Sequence, residues 1–258
     1  MPFFRATDRC LQAAIFLKGT QTIPRKMGPV IFHAIPQLLV EGTVEKSNRI
    51  LGVLAGGDID EEIVRAWAAS ANNIIAADAG ADLLMRLGIT PDATIGDMDS
   101  ISRETLSVVP ASQHMFDQDT TDCDKLLAYA AKEGHPSVTL IGIEGDLPDH
   151  VLAILHSAAR SSLDIRLAYR RGMGWIVKPR QSRRIATKPG RRVSLLAIEA
   201  CHGVHLQGTK WLLEDASLSL EHGTSVSNRT EGTELTVSLA KGAALLFVEV
   251  PKDELPIW

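Results

Sequence analysis

The sequence predicts an α/β fold: a Rossmann-like parallel sheet covered by helices, followed by a C-terminal all-β sandwich. Two observations carry this. Short, unbroken apolar runs alternate with stretches of helical spacing from residue 49 to about residue 170. Beyond about residue 174 the helical period stops, and short β-rich runs punctuated by glycine take over. A third observation concerns charge: from Asp78 to Asp149 there are 14 Asp/Glu against 4 Lys/Arg, within a chain of net charge −4.

The elements follow in order. Ile50-Leu51-Gly52-Val53-Leu54-Ala55 reads as a buried strand running into the Gly56-Gly57 turn. Ile63, Val64 and Trp67 set a helix over 60–71. Residues 73–77 form a second strand, closed by Asp78-Ala79-Gly80, and a helix over 81–87 stops at Gly88. A third strand over 93–95 ends at Gly96-Asp97. Asp119 or Thr120 caps a helix over 121–133, and strand 137–143, helix 149–161 and strand 165–169 complete the alternation. The β-rich part has runs at 193–198, 204–206, 211–213, 235–239 and 244–250. The join, 165–192, holds ten Lys/Arg and no acid: either a solvated linker or a source of side chains for a triphosphate. Residues 1–27 stand apart as an extension, leaving an α/β catalytic domain over 28–172 and a sandwich domain over 173–258.

Composition narrows the function. With 45% hydrophobic and 22% charged residues, the chain has the make-up of a soluble protein with a real core. The net negative charge argues against a general nucleic-acid binder. Cys10, Cys123 and Cys201 are far apart and form no C-x-x-C, which favours a reducing, cytoplasmic setting. No apolar run approaches the length of a membrane span.

Parallel sheets bind ligands at the carboxyl ends of their strands. Gly56, Gly57, Asp78, Asp97, Asp99, Gly145 and Asp146 all fall there. A single loop aspartate is usually just solvated. Gly96-Asp97-Met98-Asp99-Ser100 followed by Asp117-Gln118-Asp119-Thr120-Thr121-Asp122 is a denser pattern. Carboxylates are hard ligands of the kind that hold Mg²⁺ together with phosphates, so metal-assisted phosphoryl chemistry is the working idea. Lys125 lies three residues beyond Asp122 and could meet a phosphate or pair with that aspartate. Gly56-Gly57 permits close backbone approach, or makes an ordinary turn. Trp211 offers a face for ring stacking or for packing in the sandwich. His150 is either a proton acceptor or a group at a helix start. No G-x-G-x-x-G follows the first strand, which counts against a dehydrogenase.

These motifs resemble those of the thiamine pyrophosphokinase family. Asp78-Ala79-Gly80-Ala81-Asp82 stands where members carry Asp-Gly-Gly-Ala-Asn. Pro91-Asp92 and Gly96-Asp97-Met98-Asp99-Ser100 match in turn, as do Asp117 to Asp122 with Lys125. Gly208-Thr209-Lys210-Trp211 and Ser225-Val226-Ser227-Asn228 match late motifs. The chain departs at Gly145-Asp146-Leu147-Pro148-Asp149-His150, where the family's second glycine and arginine are missing, and at Ala79 and Asp82. The resemblance implies a homodimer with shared active sites and transfer of diphosphate from ATP, the co-substrate, to the thiamine hydroxyl. It implies Mg²⁺ on Asp97, Asp99, Asp117, Asp119 and Asp122, with Asp97, Asp99, Asp119, Asp122 and Lys125 catalytic. Gly56, Gly57, Asp78, Gly80 and Lys125 would face the nucleotide; Asp149, Trp211, Ser225, Ser227 and Asn228 would face thiamine. The altered segment at 145–150 leaves two alternatives: a pterin-like hydroxymethyl acceptor, or a catalytically weak nucleotide- or thiamine-binding member.

Overall fold

The computed structural model describes residues 49–54, 59–109, 112–115, 117, 119–145 and 147–258. The expected extension at 1–27, the Gly56-Gly57 turn, Gln118 and Asp146 lie outside those residues.

Six parallel strands make the first half: β1 (Ile50–Val53), β2 (Asn73–Ala77), β3 (Ala93–Gly96), β4 (Ser112–His114), β5 (Ser137–Ile141) and β6 (Asp164–Tyr169). They lie in the order β4-β3-β2-β1-β5-β6, so the winding reverses between β1 and β5. The crossovers carry α1 (Glu61–Ser70), α2 (Gly80–Arg86), α3 (Arg103–Leu106), α4 (Asp122–Lys132) and α5 (Pro148–Arg160). Local chemistry sets their starts. Asp60 caps α1 by accepting the N–H groups of Glu62 and Ile63, and Pro148 opens α5 with the φ a first turn requires. α4 is capped by Thr121 in a reciprocal box with Asp124, one residue later than Thr120 and two later than Asp119, because it is the Thr121 hydroxyl that accepts the third helical N–H.

The second half supplies β7 (Gly172–Val177), β8 (Ser182–Ala186), β9 (Arg192–Ala197), β10 (Cys201–Gln207), β11 (Leu213–Leu218), β12 (Ser225–Arg229), β13 (Glu234–Ser238) and β14 (Ala244–Glu249). The sandwich is present, but only one of its two sheets is separate, in the order β11-β10-β13-β8. The other extends the first sheet: β7 pairs antiparallel with β6, and β14, β9 and β12 follow, giving ten strands in all. The basic join is therefore not a linker. Much of it lies in β6, β7 and β8; Arg183 pairs with Asp164, Arg171 pairs with Glu249 at 2.7 Å, and Lys178 donates to the Leu163 carbonyl at 3.2 Å.

Strand alternation divides the core between the faces of the long sheet. On one face Leu51 and Val53 share a core with Ile63, Trp67 and Leu84 of α1 and α2, and farther along the same face Val193 and Leu195 of β9 join Val204, Leu206 and Val237 of the separate sheet. Ile75, Ile95 and Leu140 face α4 and α5 through Leu126, Ile154 and Ala158. The carboxyl-terminal tail returns to α1. Lys252 pairs with Asp60 at 2.8 Å, Trp258 stands edge-on to the buried Trp67 with centroids 4.8 Å apart, and its Nε1 donates to Ser70 Oγ at 2.9 Å.

A continuous sheet should unfold as one unit. Denaturant curves followed by tryptophan fluorescence and by far-UV circular dichroism are expected to coincide. Leu195→Ala, which empties a fully buried site between the sheets, should cost about 2–5 kcal/mol in the same assay.

Candidate active site

Three carboxylates converge at the carboxyl edge of the parallel strands. Asp78 follows β2, and Asp97 and Asp99 follow β3; one oxygen from each lies within 4.8 Å of the others. Gly96 makes this approach possible, since a Cβ there would stand 3.0 Å from the Asp78 Cβ. Asp78 and Met98 both take positive φ, 39° and 64°, a conformation that side chains rarely hold without support.

Asp78 is 3% exposed. Its Oδ2 accepts the Ser100 N–H at 3.3 Å, while Oδ1 is buried without a hydrogen-bond partner among the described residues. Burial raises its pKa to about 6, with a contribution from Asp122, Asp97 and Asp99 that the Ser100 N–H only partly offsets. Lys125, almost fully buried, sits between two of the acids, 3.0 Å from Asp122 and 3.5 Å from Asp97. Burial works against its charge, but those carboxylates outweigh it and hold its pKa above the ordinary lysine value. Asp97 is opposed by burial as well; the Asp99 N–H and Lys125 prevail and keep it ionised below the usual range.

An open cleft of about 490 Å³ runs beside these groups. Asp78, Asp97, Ser100, Asp122 and Lys125 are among its polar lining, Leu54, Ala77, Cys123, Ala153 and Ile154 are its apolar lining, and His150 lines it too. The cleft lies beyond the carboxyl ends of β1, β2 and β3, beside α4 and α5, on the edge where open α/β sheets bind ligands. The motifs pointed to the acids and Lys125. They did not point to Leu54, Cys123, Ala153 or Ile154, whose signal is only the register of a strand and two helices.

The remaining expected residues fall elsewhere. Asp117 and Asp119 stand outside the three-carboxylate group and are exposed. Asp117 is used in its own turn, accepting the Asp119 N–H at 2.9 Å and the Thr120 hydroxyl at 3.1 Å. Gly80 packs against β1, where a Cβ would come within 2.4 Å of the Val53 carbonyl oxygen. Asp149 is exposed in the first turn of α5. No residue of 165–192 is among those lining the cleft.

Ser225, Ser227 and Asn228 lie in β12 at the far end of the same sheet, and Trp211, in the turn between β10 and β11 of the separate sheet, is bonded to Asn228 there. β12 is eight strand-to-strand steps from β3, roughly 38 Å at ordinary strand spacing. Trp211 is 56% exposed, so it is not sandwich core, and Lys210 Nζ lies 4.9 Å from its ring centroid. Asn228 is buried and clasps the tryptophan turn. Its Oδ1 accepts the N–H groups of Trp211 at 3.1 Å and Arg229 at 2.8 Å, and its Nδ2 donates to the Trp211 carbonyl at 2.7 Å and Thr209 Oγ1 at 3.2 Å.

Fold and site together define an α/β enzyme with an acidic edge, joined to a β-sandwich. Residues 64–168 match the family model described as thiamin pyrophosphokinase, catalytic domain, and residues 179–243 match its vitamin B1 binding domain. The thiamine pyrophosphokinase of Bacillus subtilis (strain 168) is 26% identical over 182 residues, covering 67% of this chain and 85% of that protein. The crystal structure of a thiamine pyrophosphokinase from Bacillus subtilis superposes with a TM-score of 0.64 at 22% identity, over 78% of this chain and 99% of that one. The yeast thiamin pyrophosphokinase structure gives 0.65 at 17% identity, over 82% and 89%. The chain belongs to the thiamine pyrophosphokinase family, and so to the thiamine diphosphokinase enzymes. Membership favours thiamine over a pterin-like acceptor and an enzyme over a weak binder.

Two outcomes follow from this geometry. The folded-state pKa of Asp78 is raised, so it holds a proton between its ordinary value of 3.8 and about 6 that the unfolded chain has already lost. Stability on its account falls as pH rises through that window, and the penalty is complete above it. In chelator, Asp78→Asn should melt above the parent at pH 7.5 and level with it near pH 4. Asn228→Ala should cost about 1–3 kcal/mol in denaturant titration, because it leaves buried backbone groups unpaired. It should also change Trp211 fluorescence.

Proposed function

We propose that the chain transfers the diphosphoryl group of ATP to the hydroxyl of thiamine, giving thiamine diphosphate and AMP. The observation that carries this is the convergence of Asp78, Asp97 and Asp99 beside a cleft that also holds Lys125. An orphaned, buried carboxylate oxygen on Asp78 and an all-oxygen donor set fit a hard divalent cation, and we assign Mg²⁺ to Asp78, Asp97 and Asp99 with Asp122 next to them. Asp117 and Asp119 have a weaker claim, on sequence alone. When bound, Mg²⁺ would neutralise phosphate charge and polarise the phosphorus that is attacked.

The chain's own groups do the positioning, which is most of what phosphoryl transfer asks of a protein. Lys125 is held where it can exchange Asp97 for a phosphate oxygen. The amino end of α4 opens into the cleft through Thr120 and Thr121, presenting its backbone dipole to anions. The cleft, about 490 Å³ with Leu54, Ala77, Ala153 and Ile154 among its lining, offers apolar contact to a ring. As the thiamine oxygen bonds to the β-phosphorus and the bond to the α-phosphate oxygen breaks, the hydroxyl proton must leave, and His150 is the imidazole that lines the cleft.

The reversal between β1 and β5 supports a Rossmann-like reading of residues 28–172, with thiamine recognition assigned to 173–258 and to Asp149. Free, buried Cys123 and Cys201 suit a cytoplasmic enzyme. The span between Asp97 and Trp211 supports a homodimer in which each site joins the acids of one subunit to Trp211, Ser225 and Ser227 of the other.

AMP release from ATP and Mg²⁺ should depend on thiamine and fall at least about 100-fold in Asp97→Ala/Asp99→Ala; folded protein without thiamine-dependent AMP would overturn the reaction. Co-refolded Asp97→Ala and Trp211→Ala chains should regain activity that neither homodimer shows, since one site per hybrid is then complete. Mixtures no better than the single variants would exclude shared sites.

A further inference from the structure

Asp82 stands one turn beyond Asp78, where the family pattern carries asparagine. Its carboxylate turns away from the cleft and reaches Ser102. Oδ2 accepts the Ser102 N–H at 2.9 Å, and Oδ1 accepts the Ser102 hydroxyl at 2.6 Å. Ser102 Oγ in turn accepts the Thr105 N–H at 3.2 Å and so caps α3. The turn carrying Asp97 and Asp99 is thus fixed on its exit side by Asp82. Two residues earlier, the Ser100 N–H is held by Asp78 Oδ2. Between the strand end and these anchors, Met98 keeps its left-handed φ of 64°. Both anchors are carboxylates of the 78–82 segment, so the spacing of the acidic group is set across two crossovers and not within one loop.

We propose that Asp82 is a positioning residue: its paired hydrogen bonds to Ser102 set the 97–100 turn, and so the distance of Asp97 and Asp99 from Asp78, for a divalent cation. Hydrogen-bonded carboxylates have the strength for this, and partners one shell out from a metal commonly control its affinity. The effect comes from hydrogen bonds and not from added negative charge. Asparagine can take the same place, accepting the Ser102 N–H through its oxygen and donating to the Ser102 hydroxyl.

This proposal rests on the cation reading above, and the test separates the two. Mn²⁺ alone is titrated calorimetrically into the full chain, without substrates, for the parent, Asp82→Ala, Asp82→Asn and Ser102→Ala, with melting temperatures alongside. Asp82→Ala should weaken Mn²⁺ binding about 10–100-fold, while kcat returns at saturating metal; Asp82→Asn should stay within about threefold of the parent. Ser102→Ala keeps the backbone bond and should lose affinity by an intermediate factor, which also covers the case of Asp82→Ala failing to fold. Parent-like binding in Asp82→Ala or Ser102→Ala, with only the melting temperature lowered, would reduce the contact to fold support and overturn the proposal. Asp82→Asn as weak as Asp82→Ala would assign the effect to charge, and overturn it equally. A parent that takes up no Mn²⁺ would sink the cation site itself.

Discussion

Like charge at short range is the constraint on which the rest of this structure turns. Two carboxylates about 5 Å apart repel by on the order of 3 kcal/mol at an effective dielectric of 20, and here a group of three includes one that is buried. Nothing local to a single loop could hold them. The sheet brings the ends of β2 and β3 side by side, Gly96 lets the Asp78 side chain lie against the next strand, and Lys125 from α4 enters between Asp97 and Asp122. The capping box at Thr121 and Asp124 fixes the helix that delivers the lysine, and Arg160 of α5 holds Asp124 at 3.0 Å. Fold stability and site geometry are set here by the same contacts.

The departures from the family pattern read differently in this light. Ala79 and Asp82 lie in the segment that buttresses the acidic turn, and Asp82 keeps both of its bonds to Ser102. Leu147, in place of an arginine, is exposed at the start of α5 and leaves the acid group untouched. Among the described residues lining the cleft, Lys125 is the one lysine or arginine, and it sits inside the acid group.

Much of the first half was legible in the sequence, because buried parallel strands are continuous apolar runs and their helices carry a clear period. The acids at the strand ends followed from that order alone. What was not legible had physical reasons. β4 is a three-residue edge strand with little apolar content, and β8 is a largely polar one, Ser-Arg-Arg-Ile-Ala, so neither leaves a hydrophobic run to find. β7 carries two glycines, which hid it as a strand. The bonds Asp117 makes within its own turn, to the Asp119 N–H and the Thr120 hydroxyl, are a local choice that motif spacing does not record. The distance from Trp211 to Asp97 depends on strand order, and sequence order says little about strand order.

The pairing of β6 with β7 has a consequence for how this protein can be taken apart. Family models divide the chain between residues 168 and 179, but the backbone ladder does not stop there. A cut in the turn at Arg170 and Arg171 would bare a full row of unpaired amides and carbonyls on each fragment. Exposed, apolar edges of that kind recruit other strands, so halves made separately should associate or aggregate. What is modular in the family's sequence is, in its hydrogen bonding, one object.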